Sequence, residues 1–223
     1  MNVLSTAIVK ATQVALSALA LVFVAPIWTA SANPNQKPDQ TSPPTGTMQT
    51  AVFAGGCFWG VDAVFKHVKG VAEVESGYAG GTAATANYAD VSGGKTGHAE
   101  AVRIRFNPAQ ISYSQLLQVF FSVAHDPTQL NRQGPDVGSH YRSAIFYTSA
   151  EQQQAALATI QKITAARTYS QPIVTQVVPL QQFHVAEKYH QNYLARHPQK
   201  PYIVINDLPK LEQLRKRYPA LYQ

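Results

Sequence analysis

Residues 98–106 read HAEAVRIRF, and this stretch alternates apolar and polar side chains over the length of a β-strand. The three apolar residues of its second half share one face, and the same period of two places Glu100 and His98 on that face. An ionised carboxylate is costly to bury, so burial would raise the pKa of Glu100 and leave it protonated near neutral pH. From alternation alone, two alternatives are equally open: an edge position in water, or an ion pair with a lysine.

The single cysteine of the chain, Cys57, lies upstream of this strand. Residues 49–54 (QTAVFA) predict a short strand, two glycines end it, and Cys57 then stands in the first turn of a predicted helix. The N–H groups and the dipole at a helix start favour a thiolate, the nucleophilic form of cysteine. A lone cysteine is more often a small buried hydrophobe. Its place at the helix start, beside Phe58 and Trp59, favours a reactive thiol.

Strands and helices alternate along the remaining sequence, without a dinucleotide-binding or phosphate-loop motif. This order predicts an α/β (α+β) two-layer sandwich in which helices cover a mixed sheet. Further strands are predicted at 71–78, 142–148 and 173–178, and further helices from Ser112 to Ala124, from Ser149 onward, at 185–196 and at 209–217. Two long segments, 79–97 and 125–141, are predicted loops.

The N-terminal segment differs in composition from the rest of the chain. Within residues 1–32 Lys10 is the single charged residue, an apolar run covers 14–24, and an A-x-A pattern ends at Ala32. This pattern predicts a secretory signal peptide; the alternative, a membrane anchor, needs about 20 apolar residues. Residues 33–47 contain four prolines and no aliphatic side chain, which predicts a disordered linker.

Residues 48–223 then form a single domain of ordinary size. We therefore expect an exported protein, periplasmic or otherwise extracytoplasmic, without stable membrane association once the signal peptide is removed. Nothing in the sequence requires more than a monomer.

Composition excludes several classes of function. With one cysteine, the chain cannot form an internal disulfide or an all-thiolate metal site. The net charge of +6 is modest, and the basic residues form no run except at 215–217, so we predict no nucleic-acid partner. His184, His190 and His197 have spacings of six and seven, which do not bring two ligands to one helix face, so we predict no metal.

Three polar side chains of the predicted loops are further candidates. Tyr88 and Tyr141 could each donate a hydrogen bond to a developing oxyanion, although loop tyrosines more often cover the edge of a core. Asp136 lies in the segment GPDVG, where a turn-forming role is the simpler interpretation.

Several motifs, in order, resemble the A-type peptide methionine sulfoxide reductases. They are GCFWG at 56–60, SGYAGG at 76–81, TGHAE at 96–100, NRQGPDVGSHYRS at 131–143 and AEKYHQNYL at 186–194. The resemblance implies a ferredoxin-like sandwich and the thiol-dependent reduction of methionine-S-sulfoxide, free and in proteins, as repair after oxidation.

The resemblance also implies roles for individual residues. Cys57 would attack the sulfoxide sulfur and Glu100 would protonate the departing oxygen. Tyr88 and Tyr141 would donate hydrogen bonds to that oxygen. Phe58 and Trp59 would form an apolar pocket for the methyl group of the substrate. Asp136 would position the substrate.

The chemistry needs no metal or redox cofactor, because the thiol carries the two electrons and ends as a sulfenic acid. The tail, residues 202–223, contains no cysteine that could resolve this acid. We therefore expect an external thiol reductant, such as a thioredoxin-like protein, a glutaredoxin or a small-molecule thiol.

Two other functions compete with this one. A hydrolase or acyl transferase would use His98 or His190 as a base for Cys57. A secreted binding module would hold Cys57 as a structural residue with an ordinary thiol pKa of about 8.5, whereas the reductase hypothesis predicts a lowered thiol pKa.

Overall fold

The computed structural model describes residues 47–223 and is built around a six-stranded mixed sheet. The predicted signal peptide and all but the last residue of the predicted linker lie outside the described residues. The strand order is β7-β6-β1-β3-β2-β8, in which β6 and β7 are parallel and the other neighbours antiparallel. The strands of this sheet are β1 (Gln49–Gly55), β2 (Val71–Ala79), β3 (Ala99–Phe106), β6 (Ser143–Tyr147), β7 (Gln176–Pro179) and β8 (Phe183–Val185).

A small two-stranded hairpin and seven α-helices complete the described part of the chain. The hairpin consists of β4 (Arg132–Gln133) and β5 (Asp136–Val137). The helices are α1 (Phe58–Lys66), α2 (Tyr88–Val91), α3 (Tyr113–Val119), α4 (Ala150–Ala165), α5 (Tyr193–Arg196), α6 (Pro201–Asn206) and α7 (Leu208–Arg217).

The central strands bury both faces of the sheet. In β1, Ala51 and Phe53 join the larger core, which the helices cover, whereas Val52 and Ala54 join a smaller cluster on the opposite face. This division follows from the period of two along a strand. The predicted sandwich of helices on a mixed sheet is confirmed.

Helix starts were the most predictable local feature. Ser112 and Gln115 form the predicted capping box at the start of α3, which continues as a π-helical turn to Ala124. The Ser149 hydroxyl accepts from the Gln152 N–H at the start of α4. Each of these side chains satisfies an N–H group that lacks a partner within its helix.

The predicted helix at 185–196 is wrong. The chain there completes β8, passes through turns and forms only the short helix α5. Contacts with β2 override the helical spacing: the Ala186 N–H donates to the Ser76 carbonyl, and the Gln191 side chain accepts from the Ser76 N–H.

Two further features concern the described residues as a whole. No helix within residues 47–223 has the length and apolar character to cross a membrane. The same residues contain no group of three or more His, Cys, Asp or Glu side chains arranged to hold a metal ion.

Candidate active site

Cys57 lies at the junction between β1 and α1, next to the middle of the sheet. Gly56 precedes it with φ of +90°, and a Cβ atom at Gly56 would collide with the side chain of Gln133. Both the left-handed backbone and the close approach require glycine here. Cys57 is the residue immediately before α1, one position earlier than predicted, and it is buried.

The thiol of Cys57 is protonated at neutral pH. Burial raises its pKa well above the ordinary value, and the charges of Glu100 and Asp207 raise it further. The backbone N–H of Trp59 has the opposite effect and lowers the pKa of Cys57. The predicted thiolate is therefore wrong, because the loss of hydration of the buried sulfur outweighs the effect of the N–H groups at the helix start.

Glu100 lies on β3 with its side chain on the helix-covered face, as alternation predicted. The side chain is buried, and its Oε2 accepts a hydrogen bond of 3.0 Å from the Phe58 N–H, the residue after Cys57. Burial raises the pKa of Glu100 to about 8, although the Phe58 N–H lowers it. Glu100 forms no ion pair within the described residues, so both alternatives from the sequence are excluded. At neutral pH a protonated carboxyl group is thus bonded to the amide that follows Cys57.

Tyr88 and Tyr141 come from the two segments predicted as loops. Tyr88 is the first residue of α2, and Tyr141 ends a 3-10 turn at residues 139–141. Burial raises the pKa of both hydroxyls, and the charges of Glu100 and Cys57 raise both further. Both hydroxyls therefore lie within electrostatic range of the same acid and thiol, and both remain hydrogen-bond donors over the physiological pH range.

Phe58 and Trp59, the first residues of α1, form the apolar side of the site. Phe58 is buried, whereas Trp59 is partly exposed. The Trp59 indole stacks on Tyr193 with ring centroids 3.7 Å apart and an interplanar angle of 7°, and its Nε1–H donates to His190 Nδ1 at 3.1 Å. Two residues of the AEKYHQNYL motif thus fix the indole.

Asp136, on β5, is connected to the C-terminal segment. Its Oδ2 accepts a hydrogen bond of 2.5 Å from the hydroxyl of Tyr202 on α6. The Tyr202 ring also meets Trp59 edge to face, with centroids 5.9 Å apart. Asp136 is therefore part of the site and not only a turn former. Tyr202 was missed, because its segment has no motif that marks it.

A second buried carboxyl group near Cys57 was also missed. Asp207 precedes α7 and is almost fully buried, and its Oδ1 pairs with Lys210 Nζ at 3.2 Å. A Cβ atom at Gly60 would overlap Asp207 Oδ1, so this carboxylate packs on the first turn of α1. Its charge is one of those that raise the thiol pKa. No local sequence pattern pairs residue 207 with residue 60.

The histidines do not support a Cys/His pair. Among the described residues no histidine is hydrogen-bonded to Cys57. His98 is held by the Gly81 N–H on Nδ1 and by the Thr82 carbonyl on Nε2, so both ring nitrogens have partners. His190 accepts from the Trp59 indole. The hydrolase alternative therefore lacks its base.

Comparison with known proteins agrees with this geometry. The family model described as peptide methionine sulfoxide reductase matches residues 49–221. Peptide methionine sulfoxide reductase MsrA 2 of a Synechocystis strain is 54% identical over 76% of this chain and 79% of its own length. The MsrA of Deinococcus radiodurans is 48% identical over 82% of this chain and 88% of its own.

Solved structures give the same result. Reduced Mxr1 from Saccharomyces cerevisiae matches with a TM-score of 0.63 and 31% identity, over 69% of this chain and 87% of that one. Methionine sulfoxide reductase A of Corynebacterium diphtheriae matches with a TM-score of 0.61 and 32% identity, over 71% and 78% of the two chains. Fold and site thus define a thiol-based oxidoreductase. This chain belongs to the peptide methionine sulfoxide reductase family.

Proposed function

We propose that this protein reduces methionine-S-sulfoxide, free and within oxidised proteins, to methionine, with Cys57 as the nucleophile. Family membership supports the reaction class. The observation that carries the assignment of residues is the buried, protonated Glu100 bonded to the amide next to Cys57. A sulfoxide oxygen leaves poorly unless it is protonated, so a soft nucleophile and an acid must act together.

In the first half-reaction the Cys57 sulfur bonds to the sulfoxide sulfur while Glu100 gives a proton to the oxygen, and the substrate S–O bond breaks. The departing hydroxide then attacks the Cys57 sulfur, which breaks the new S–S bond and releases methionine. Phe58 N–H occupies Oε2 of Glu100, which leaves Oε1 to carry that proton. The Tyr88 and Tyr141 hydroxyls donate to the same oxygen as its negative charge develops. The thiol proton restores Glu100. In sum, the thiol and the sulfoxide become Cys57–SOH and methionine, and two electrons pass from the thiol sulfur to the substrate sulfur.

The apolar side accounts for substrate selection. The S-methyl group of the substrate fits against Phe58 and the Trp59 indole, which Tyr193 and His190 hold in place. Asp136, whose Oδ2 accepts from the Tyr202 hydroxyl, is proposed to position the substrate. A fixed methyl pocket on one side and fixed oxygen donors on the other distinguish the two sulfoxide epimers.

The second half-reaction uses an external thiol, since the chain has no other cysteine. That thiol attacks Cys57–SOH, releases water and forms a mixed disulfide, which a second thiol reduces. A thioredoxin-like protein, a glutaredoxin or a small-molecule thiol has the required chemistry.

The test supplies each sulfoxide epimer separately, with dithiothreitol, to wild-type protein and to Cys57→Ser. Wild-type protein should form methionine from the S epimer alone, and Cys57→Ser should form none. Without reductant, the intact mass of wild-type protein should rise by one oxygen atom, reversed by dithiothreitol. Equal methionine formation by the two proteins would refute the proposal.

We propose further that the mature chain begins at Asn33 and acts outside the cytoplasm as a monomer. The apolar run and the A-x-A pattern before residue 33 support export. N-terminal sequencing of the protein from extracytoplasmic and membrane fractions tests this. An intact N-terminus found in the membrane fraction would instead support an anchor.

A further inference from the structure

Glu187, in the AEKYHQNYL motif, accepts a hydrogen bond on each of its carboxylate oxygens, and the two donors belong to other segments of the chain. Its Oε1 accepts from the Tyr88 N–H at 2.8 Å, and its Oε2 accepts from the Tyr78 hydroxyl at 2.8 Å. These bonds lower the pKa of Glu187 despite its partial burial, so it is ionised at neutral pH. Hydrogen bonds to an ionised acceptor are about twice as strong as neutral ones.

The first of these bonds fixes the backbone of Tyr88. Tyr88 opens α2, which has four residues, and the first N–H of a helix has no partner within the helix. Asn87 caps α2 by accepting from the Asp90 N–H and leaves the Tyr88 N–H to Glu187. A long, glycine-containing segment surrounds α2, so the position of the Tyr88 hydroxyl depends on this external anchor.

The second bond ties the same carboxylate to the sheet beside Glu100. Tyr78 is fully buried on β2 and is the direct cross-strand partner of Glu100 on β3. Its ring also packs on Phe58, with centroids 5.9 Å apart. One carboxylate thus links the segment that carries Tyr88 to the strand pair that carries the acid.

We infer that Glu187 is a positioning residue that sets the distance between the Tyr88 hydroxyl and the Glu100 carboxyl group. The inference rests on the proposed function, in which these two groups donate to one substrate oxygen. Glu187 touches neither substrate nor sulfur; it acts through Tyr88. Small displacements of a donor cost much of its effect on the developing charge.

Substitutions at residue 187 distinguish a role in positioning Tyr88 from a general contribution to the stability of the fold. Glu187→Ala removes both bonds. Glu187→Gln keeps both, because its Oε1 accepts from Tyr88 N–H while its Nε2 donates to the Tyr78 oxygen. Single-turnover formation of methionine without reductant should fall about tenfold in Glu187→Ala and by far less in Glu187→Gln. Exposed Lys188 supplies the matched control, and Lys188→Ala should match the wild type.

A double-mutant cycle gives the decisive result. In a Tyr88→Phe background, Glu187→Ala should have no further effect, since the hydroxyl it positions is gone. In a Tyr141→Phe background it should keep its full tenfold effect. Exchange of the Tyr88 amide hydrogen should accelerate in Glu187→Ala and stay slow in Glu187→Gln.

The outcomes distinguish the inference from the proposed function. Equal losses in both tyrosine backgrounds, or a wild-type rate in Glu187→Ala, would overturn the positioning role while leaving the reductase intact. Wild-type protein that forms no methionine would overturn the proposed function and this inference with it. Thermal unfolding of each variant shows whether a loss of rate comes from a loss of fold.

Discussion

The Trp59 indole and the Glu100 carboxyl group, on the two sides of the site around Cys57, are held by different parts of the chain and by different forces. On the apolar side, the Trp59 indole rests on Tyr193 and bonds to His190, both from the C-terminal quarter of the sequence. On the polar side, Glu100 belongs to a central strand and is fixed by a hydrogen bond from the Phe58 amide. Packing with one hydrogen bond orients the Trp59 indole, the proposed wall of the methyl pocket, whereas sheet register orients Glu100, the proposed acid.

Because of this difference, substitutions should be able to change substrate binding and the chemical step separately. A change at Tyr193 or His190 should loosen the Trp59 indole and leave the protonated Glu100 carboxyl group in place. A change on β3 should remove the acid and leave the pocket. The apolar side should therefore influence mainly KM, and the polar side mainly the rate of the chemical step.

Removal of the acid is the most severe test of the polar side. Glu100→Gln keeps an acceptor for the Phe58 N–H and loses the transferable proton. We expect the single-turnover rate to fall about 10²–10⁴-fold with little change in KM. Rapid-quench measurement of methionine, with methionine sulfoxide varied, checks this. A loss below tenfold would mean that the oxygen leaves without Glu100.

Truncation of the indole tests the apolar side. Trp59→Ala should lower kcat/KM roughly 10–200-fold, the range for a lost hydrophobic contact, and mostly through KM. Tyr193→Leu, which removes the stacking partner of Trp59, should act in the same direction by less. Steady-state kinetics with the S epimer measures both. If KM stays constant in both variants, the methyl pocket lies elsewhere.

The burial of Glu100 also predicts a pH dependence of stability. The folded chain keeps the Glu100 proton up to a pKa of about 8, whereas the unfolded chain releases it near 4.5. Stability therefore falls as pH rises through this window, by up to about 1.4 kcal/mol per pH unit. Glu100→Gln lacks this contribution, so its stability relative to wild type should rise with pH. Urea unfolding across the window tests the sign, and parallel curves for the two proteins would contradict it.

The smallest expected effect concerns the thiol. Asp207→Asn removes a charge that raises the Cys57 pKa, so alkylation by iodoacetamide should become a few-fold faster at neutral pH, as for an interaction of roughly 1 kcal/mol. Glu212→Gln, at an exposed position on α7, the helix that follows Asp207, is the control and should match the wild type. Equal alkylation rates for all three proteins would show that Asp207 has no influence on the sulfur.

The comparison also shows which features a sequence can predict. Alternation along residues 98–106 placed Glu100 on the correct face because strand periodicity is local. The capping box at Ser112 was equally local. The thiolate of Cys57 was wrong because the burial of its sulfur depends on segments remote in sequence, among them that of Asp207.

Errors in the elements have a similar cause. The apolar residues at 185–196 have helical spacing, but most of this segment is not helical. Hydrogen bonds to Ser76 hold it instead as the end of β8 followed by turns. The predicted loop at 79–97 contains α2, whose start is anchored by Glu187 about 100 residues away. The site roles of Cys57 and Glu100 came from recognisable motifs, and those of Tyr202 and Asp207 required the fold.

The burial and protonation of the Cys57 thiol affect its resistance to irreversible oxidation. Peroxides attack the anionic form of cysteine, and repeated attack leads through sulfinic to sulfonic acid, which reductants do not reverse. With one cysteine, an intramolecular disulfide cannot protect the oxidised sulfur. A thiol that keeps its proton should therefore react slowly with peroxides, and we expect Cys57 to resist irreversible oxidation between turnovers.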